Sequence, residues 1–186
     1  MILSVLICSL HNRDHFLKRL LGELHKQMNQ YNLNNNVQIL ISIDNGEKSI
    51  GIKRNELINQ AKGEYVCFID DDDMVSPFYL KTIVKGCELN YDCVGLVGQM
   101  TIDGNRAKTF IHSARFKTYF EQNRIYYRPP NHLNAIKKTI AEQFKFPEKN
   151  FGEDTDWAMQ VSKSNLIQTE APVNVVLYYY LFRSKK

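Results

Sequence analysis

The sequence contains no apolar run long enough to cross a membrane, and its first residues lack the basic start of a signal peptide. We therefore expect a soluble, cytoplasmic protein without a transmembrane segment. No internal repeat, low-complexity tract or linker marks a domain boundary. Because 186 residues with 44% hydrophobic content can form one well-packed core and are few for two, a single domain over residues 1–186 is predicted.

The sequence also lacks the patterns of a zinc site, with no CxxC pair and no histidine at a suitable spacing from a cysteine. Its four cysteines lie in or next to apolar runs: Cys8, Cys67, Cys87 and Cys93. This placement is typical of buried free thiols in a reducing compartment.

Strong charge of either sign is absent. The formal net charge is +4 and the pI is about 8.8, which suits an anionic ligand but is too weak to indicate a nucleic-acid binder. A metal-dependent nuclease is disfavoured as well, because no basic stripe with interleaved aromatic residues lies near the aspartate cluster of the chain.

Apolar runs and helical patterns alternate through the first half of the chain. Strands are predicted over residues 2–10, 37–43 and 64–69, and helices over residues 16–28, 52–62 and 77–89. This alternation predicts an α/β fold in which helices flank a mostly parallel central sheet. Ligands of such sheets bind at the carboxyl ends of the strands, where acidic residues follow two of the predicted strands.

The second half has a different pattern and is expected to complete the sheet with a smaller antiparallel part. Strands are predicted over residues 92–100, 106–111, 124–128 and 173–182. A short helix capped by Asn134 is expected to reach residue 143, and a further helix to run from residues 151–154 through Val161.

Four consecutive aspartates, Asp70–Asp73, follow the third apolar run directly. On an extended chain the first and third would share one face, and the second and fourth would point away from it. Like charges so close raise one another's pKa, and a divalent cation such as Mg²⁺ or Mn²⁺ relieves the repulsion with oxygen ligands. The alternative is a solvated acidic loop that caps the helix beginning near Ser76-Pro77.

Five segments in this order resemble the family-2 glycosyltransferases of the GT-A fold: LSVLICSLHNR, ISIDNGE, GIKRNELINQAKGEY, VCFIDDDDMVSP and FGEDTDWA. The resemblance covers nearly the whole chain. It implies a single Rossmann-like GT-A domain, with a nucleotide-sugar-binding half over residues 1–100 and an acceptor-binding half over residues 101–186. It also implies hexosyltransferase-type transfer of a sugar, with inversion, from a nucleotide diphosphate donor to a saccharide or other hydroxyl acceptor. Mn²⁺ or Mg²⁺ is the expected cofactor and a UDP-sugar the default donor, while GDP and dTDP stay open.

The resemblance assigns the donor-side roles residue by residue. Asp72 matches the metal ligand of the DxD motif, Asp70 would contact the ribose or the metal and its water, and Asp73 would assist. Asp44 matches the acidic residue that binds the nucleotide base, and Arg54 a position near the pyrophosphate. The alternatives are an Asx turn for Asp44 and a solvated helix face for Arg54 with its neighbour Lys53.

On the acceptor side, the resemblance makes Asp154 the catalytic base and Glu153 its acceptor-binding neighbour. Acidic residues in a first helical turn are also favoured by the helix dipole alone, so that alternative stands. Trp157 is predicted to stack on an acceptor sugar or to belong to the core. His132 is predicted near the phosphates or acceptor, with a surface or structural histidine as the alternative.

Three further questions follow from the resemblance. The chain has no histidine near its C-terminus to serve as a third metal ligand, and Arg183, Lys185 and Lys186 are either a cationic lid or a solvated tail. A sugar-nucleotide nucleotidyltransferase is disfavoured, because residues 8–13 (CSLHNR) contain no glycine for a phosphate-binding loop. A non-catalytic nucleotide-sugar or glycan binding module of the same fold remains the alternative function.

Overall fold

Strands and helices alternate through the first half of the chain, as the apolar pattern predicts. The structure, a computed structural model, describes residues 1–182. Its first half contains β1 (Leu3–Leu10), α1 (Asp14–Gln30), β2 (Val37–Asp44), α2 (Ile50–Gln60), β3 (Tyr65–Phe68), β4 (Met74–Val75) and α3 (Tyr79–Glu88). A 3₁₀ turn, His11–Arg13, joins β1 to α1.

The second half is richer in strands and contains two helices among the described residues. In chain order its elements are β5 (Cys93–Val94), β6 (Leu96–Ile102), β7 (Asn105–His112), β8 (Phe120–Gln122), β9 (Ile125–Arg128), β10 (Ile136–Lys137), α4 (Lys138–Ala141), α5 (Glu153–Ser164), β11 (Glu170–Ala171) and β12 (Val176–Phe182).

Within residues 1–182 the strands form two six-stranded sheets. The first has the order β11-β5-β10-β3-β1-β2, with β1 parallel to both β2 and β3, and with β10 antiparallel to its neighbours. The second is mixed and has the order β4-β12-β6-β7-β9-β8. The predicted α/β class, with a mostly parallel sheet in a single domain, is confirmed. The second half does more than complete that sheet, because the chain passes after one residue, Gly95, from β5 into β6 of the second sheet.

The first sheet is buried on both faces, which is why its central strands are continuous apolar runs. Val5 and Ile7 pack with the apolar faces of α1 and α3 in one core cluster, whereas Leu6 packs with α2 and α5 in the other. The two clusters therefore use alternate residues of the same strand. No helix in the described part of the chain is long and apolar enough to span a membrane.

The helix predicted from Asn134 is wrong in its first half. Residues Ile136–Lys137 form β10 between β3 and β5, and the helix is reduced to Lys138–Ala141. The Asn134 side chain accepts a hydrogen bond from Asn131 N at 3.1 Å and donates one to Val94 O at 2.9 Å. Asn134 thus closes a loop onto the sheet, and pairing within the sheet outweighs the local capping preference.

Glycines in helices α1 and α2 provide a test of how closely each helix approaches its neighbours. A Cβ at Gly51 would lie 1.9 Å from Pro147 O, whereas at Gly22 it would meet nothing within 4 Å. We expect Gly51→Ala to lower the free energy of unfolding by about 1–3 kcal/mol through overpacking. Gly22→Ala, the matched control, should raise it by about 0.5–1 kcal/mol. Urea unfolding of both variants measures the difference, and equal stabilisation would disprove the close approach of α2 to the 147–150 segment.

Candidate functional site

A cavity of about 530 Å³ lies at the carboxyl ends of β1, β2 and β3. Its walls come from the end of β1, the start of α2, the aspartate run, the start of α5 and one residue of β12, Tyr180. Because β1, β2 and β3 are parallel, their carboxyl ends meet at one edge, as expected for a ligand site in such a sheet.

The aspartate run forms a turn, because β3 ends at Phe68 and Asp73 N donates to Asp70 O at 3.1 Å. The alternation predicted for an extended chain is therefore wrong for Asp71, which lines the cavity. Its carboxylate accepts hydrogen bonds from Ser9 Oγ at 2.6 Å, and from Arg13 Nε at 2.9 Å and Nη2 at 2.5 Å. Asp71 therefore anchors the turn to the end of β1.

Asp73 anchors the same turn to the second sheet. Its two carboxylate oxygens accept hydrogen bonds from Tyr178 Oη and from Leu181 N, both at 2.8 Å. Burial and the neighbouring charge of Asp70 raise the pKa of Asp73 well above its usual range. The side chain is fully buried and does not line the cavity, so this placement does not support the predicted role of Asp73 as an assisting metal ligand.

Asp70 and Asp72 are the two aspartates that keep a third of their side chains exposed, at 34% and 29%. Asp72 pairs with Arg13 at 2.8 Å, and Asp70 with Arg54 at 3.2 Å. Burial alone would raise the pKa of Asp70, but His132, Arg54 and Arg13 together hold that pKa below its usual range. The cavity therefore presents an ionised carboxylate at Asp70.

Two cations of α2 are buried beneath the cavity. Lys53 and Arg54 are each 3% exposed, so the solvated helix face weighed as an alternative for Arg54 is wrong. Lys53 Nζ donates to Ser9 O at 2.8 Å and also to the Asp44 carboxylate. That carboxylate accepts backbone hydrogen bonds from Gly46 and Lys48, which is the Asx-type turn considered for it. Its role in binding a nucleotide base stays a prediction.

The Arg54 guanidinium packs against two aromatic rings that contact each other, Phe68 at 5.2 Å and Phe146 at 5.4 Å. Its Nη2 faces Asp70 and, at 3.5 Å, the buried carboxylate of Glu153. Among the residues described, no group accepts a hydrogen bond from its buried Nε or Nη1. A buried cation with unpaired donors beside an open cavity is well suited to an anionic ligand.

The start of α5 is fixed against α2 by side-chain amides. Asn55 and the backbone of Phe146 exchange two hydrogen bonds of 2.9 Å, and Asn150 Oδ1 accepts from Ile50 N at 2.9 Å. Gly152, with φ +73°, then turns the chain into the helix, whose first two residues are Glu153 and Asp154. Both line the cavity opposite the aspartate turn.

His132 lies between the two carboxylates that face each other across the site. Its Nε2 is 3.6 Å from Asp70 Oδ2, and its Nδ1 is 3.7 Å from Asp154 Oδ2. The side chain is buried, so the surface histidine weighed for this position is wrong. The structure thus brings together Asp70, His132 and Asp154, and the role of each stays a prediction.

Trp157 is part of the core and does not line the cavity. It is 2% exposed, stacks on Phe146 with ring centroids 4.8 Å apart, and donates from Nε1 to Phe144 O at 3.3 Å. The predicted stacking of Trp157 on an acceptor sugar is therefore not supported, and the core alternative agrees with the structure.

Sequence reasoning assigned no role to four residues that line the cavity: Ser9, Arg13, Lys53 and Tyr180. Arg13 and Lys53 had a usable signal, since Arg13 closely follows the end of β1 and Lys53 is next to Arg54 on α2. Ser9 and Tyr180 carried none. The proposed lid residues Arg183, Lys185 and Lys186 lie outside the described residues.

The fold and this site together match a known class. The model of the family described as glycosyl transferase family 2 matches residues 38–161, so the chain belongs to that family.

Among solved structures, the chain is similar to TarS of S. aureus. The complex of TarS residues 1–349 with UDP-GlcNAc gives a TM-score of 0.67 at 17% identity, covering 100% of this chain and 60% of that one. The UDP complex gives 0.66 at 18% identity, covering 97% of this chain and 60% of that one. This chain thus spans less than two thirds of those TarS chains. No curated protein sequence matches it.

The Arg13–Asp71 pair yields a stability prediction. Arg13→Ala leaves the Asp71 carboxylate, whose side chain is 5% exposed, without its cation. We expect a loss of about 3 kcal/mol of unfolding free energy, at the low end for a broken buried pair because Arg13 is itself 35% exposed. Lys18→Ala breaks an exposed pair with Asp14 and should cost less than about 1 kcal/mol. Equal losses in chemical denaturation would mean that Asp71 does not depend on Arg13.

Proposed function

We propose that the chain transfers a sugar from a UDP-sugar to a hydroxyl of a saccharide or similar acceptor, with inversion and with Mn²⁺ or Mg²⁺. One observation carries the proposal: three partly exposed carboxylates, Asp70, Asp72 and Asp154, line one cavity together with buried cations. Membership of glycosyl transferase family 2 supports it, as do the complexes of TarS with UDP and UDP-GlcNAc.

The donor side is built by residues 1–100. Arg13, Lys53 and Arg54 line it, and the diphosphate of the donor would complement these cations. Arg54 supports an anion here, because its guanidinium lies at the cavity and two of its N–H groups have no acceptor among the described residues. We assign Arg54 to the pyrophosphate and Asp44 to the nucleotide base.

Asp70 and Asp72 fit a divalent cation that is completed by donor oxygens. Mg²⁺ and Mn²⁺ are bound in such sites by one or two carboxylates together with substrate phosphates and water. The described residues contain no group of three or more side chains that could hold a metal ion alone, so phosphate oxygens and water would have to supply the remaining ligands. When bound, the cation supplies positive charge that stabilises the departing nucleoside diphosphate.

Asp154 is assigned as the base, in the half of residues 101–186 that we assign to the acceptor. Its carboxylate is 33% exposed, and so an acceptor hydroxyl can reach it. In a single displacement the acceptor oxygen bonds to the anomeric carbon, the bond to the phosphate oxygen breaks, and Asp154 takes the hydroxyl proton. Glu153, buried against Arg54 at 3.5 Å, is assigned to position this wall and the acceptor.

The metal assignment predicts the behaviour of Asp72→Asn. Wild-type protein should bind UDP more tightly than GDP or dTDP, and only with Mn²⁺ present. The variant should lose at least about tenfold in affinity, because one of two charged ligands is removed. Glu142→Gln, which removes an exposed carboxylate paired with Lys138, should bind as wild type does. Titration calorimetry measures this, and equal Mn²⁺-independent binding by all three proteins would remove the metal from the proposal.

The base assignment predicts that Asp154→Asn separates binding from transfer. UDP affinity should be unchanged, while kcat for UDP release in the presence of saccharide acceptors should fall about 10²- to 10⁴-fold. Asp156→Asn is the matched control, since Asp156 is in the same helical turn but pairs with Lys149 at 2.6 Å. If the wild type binds UDP but transfers no sugar from a panel of UDP-sugars, the binding module is the better description.

A further inference from the structure

His132 is a buried imidazole whose two nitrogens face two different carboxylates. The residue is 5% exposed, and within residues 1–182 neither ring nitrogen has a hydrogen-bond partner. Both carboxylate oxygens, of Asp70 and Asp154, are nevertheless within about 0.5–1 Å of hydrogen-bond distance. A buried polar group left unpaired costs about 1–3 kcal/mol, so a small shift that closes either contact is favourable, with the ring N–H donating to the carboxylate oxygen.

The backbone, and not the ring, holds His132 in place. His132 O accepts a hydrogen bond from Phe68 N at 2.7 Å, at the end of β3. On the next residue, Leu133 N donates to Asn131 Oδ1 at 3.0 Å, and Asn134 ties the same loop to Val94. The ring also lies beside Phe68, with centroids 6.3 Å apart. Its nitrogens are therefore not needed to anchor the loop.

His132 therefore connects the aspartate turn, on the donor side of the cavity, with the start of α5, on the acceptor side. Asp70 lies on the aspartate turn, and Asp154 on the first turn of α5. The two elements are far apart in sequence, and His132 contacts the carboxylate of each. Contacts that are long in a ligand-free site commonly shorten when the reactants bind.

We propose that His132 is a positioning residue that sets the distance between the donor-side carboxylate and the base, with Nε2 orienting Asp70 and Nδ1 orienting Asp154. This inference rests on the proposed function, because it takes Asp154 as the base. A misplacement of about 1 Å at a reacting group can cost about 100-fold in rate, so such a spacer affects turnover without contacting substrate.

Two variants separate the two contacts. In His132→Asn the side-chain amide can reach the position of Nδ1, and in His132→Gln that of Nε2. We expect His132→Gln to keep UDP–Mn²⁺ affinity within about threefold and to lose about 10- to 100-fold in kcat. His132→Asn should show the reverse, with weaker UDP–Mn²⁺ binding and a smaller loss of kcat. His25→Asn, at an exposed position of α1, is the control and should change neither quantity.

The same experiment distinguishes a positioning role of His132 from a purely structural one. Proportional losses of affinity and kcat in both variants, together with lower thermal stability, would overturn the proposal, and so would unchanged values in both. Failure of the proposed function would give a different result, because the wild-type protein itself would then show no UDP binding or no sugar transfer.

A spectroscopic measurement needs neither turnover nor variants of His132. In long-range ¹H–¹⁵N spectra of the protein with UDP and Mg²⁺, Asp154→Asn should shift the Nδ1 resonance of His132, and Asp70→Asn the Nε2 resonance. Resonances that stay at their wild-type positions in both variants would disprove the contacts on which the proposal depends.

Discussion

The interaction on which the rest of the structure depends is the compensation of negative charge in the aspartate turn. Four carboxylates in consecutive positions cannot be buried without partners. Arg13 and Ser9 neutralise Asp71 at the end of β1, and Tyr178 and Leu181 bind Asp73 on β12. Because these partners belong to different sheets, satisfying the charges also fixes the two sheets against each other.

Because of this compensation, the four aspartates have two different structural roles. Asp71 and Asp73 are buried, with both carboxylate oxygens hydrogen-bonded, and they hold the turn from both sides. The other two, Asp70 and Asp72, are therefore presented to the cavity by a rigid backbone, which is what a binding site requires. A similar pairing occurs at the start of α5, where the buried Arg54 guanidinium lies 3.5 Å from the buried carboxylate of Glu153, next to Asp154.

The sequence predicted the parts of this structure that depend on local pattern. Alternating strands and helices were recognisable because both faces of the first sheet are buried, and the ordered motifs located the strand ends that line the cavity. The orientation of Asp71 was mispredicted, since periodicity does not reveal that β3 stops at Phe68. The sequence likewise did not predict the burial of Lys53 and His132. Each depends on partners distant in sequence, and a single sequence without an alignment contains no signal of those pairs.

The bonds between Asp73 and β12 also bear on how the protein is made. Tyr178 and Leu181 follow Asp73 by 105 and 108 residues, so the bonds that hold the aspartate turn form only after β12 has been synthesised. A nascent chain that has completed only its first half already contains most of the cavity wall but cannot yet satisfy Asp73. Contacts of such long sequence separation form late in folding. β12 also supplies Tyr180 to the cavity, so the cavity wall is complete only after this strand has joined the second sheet.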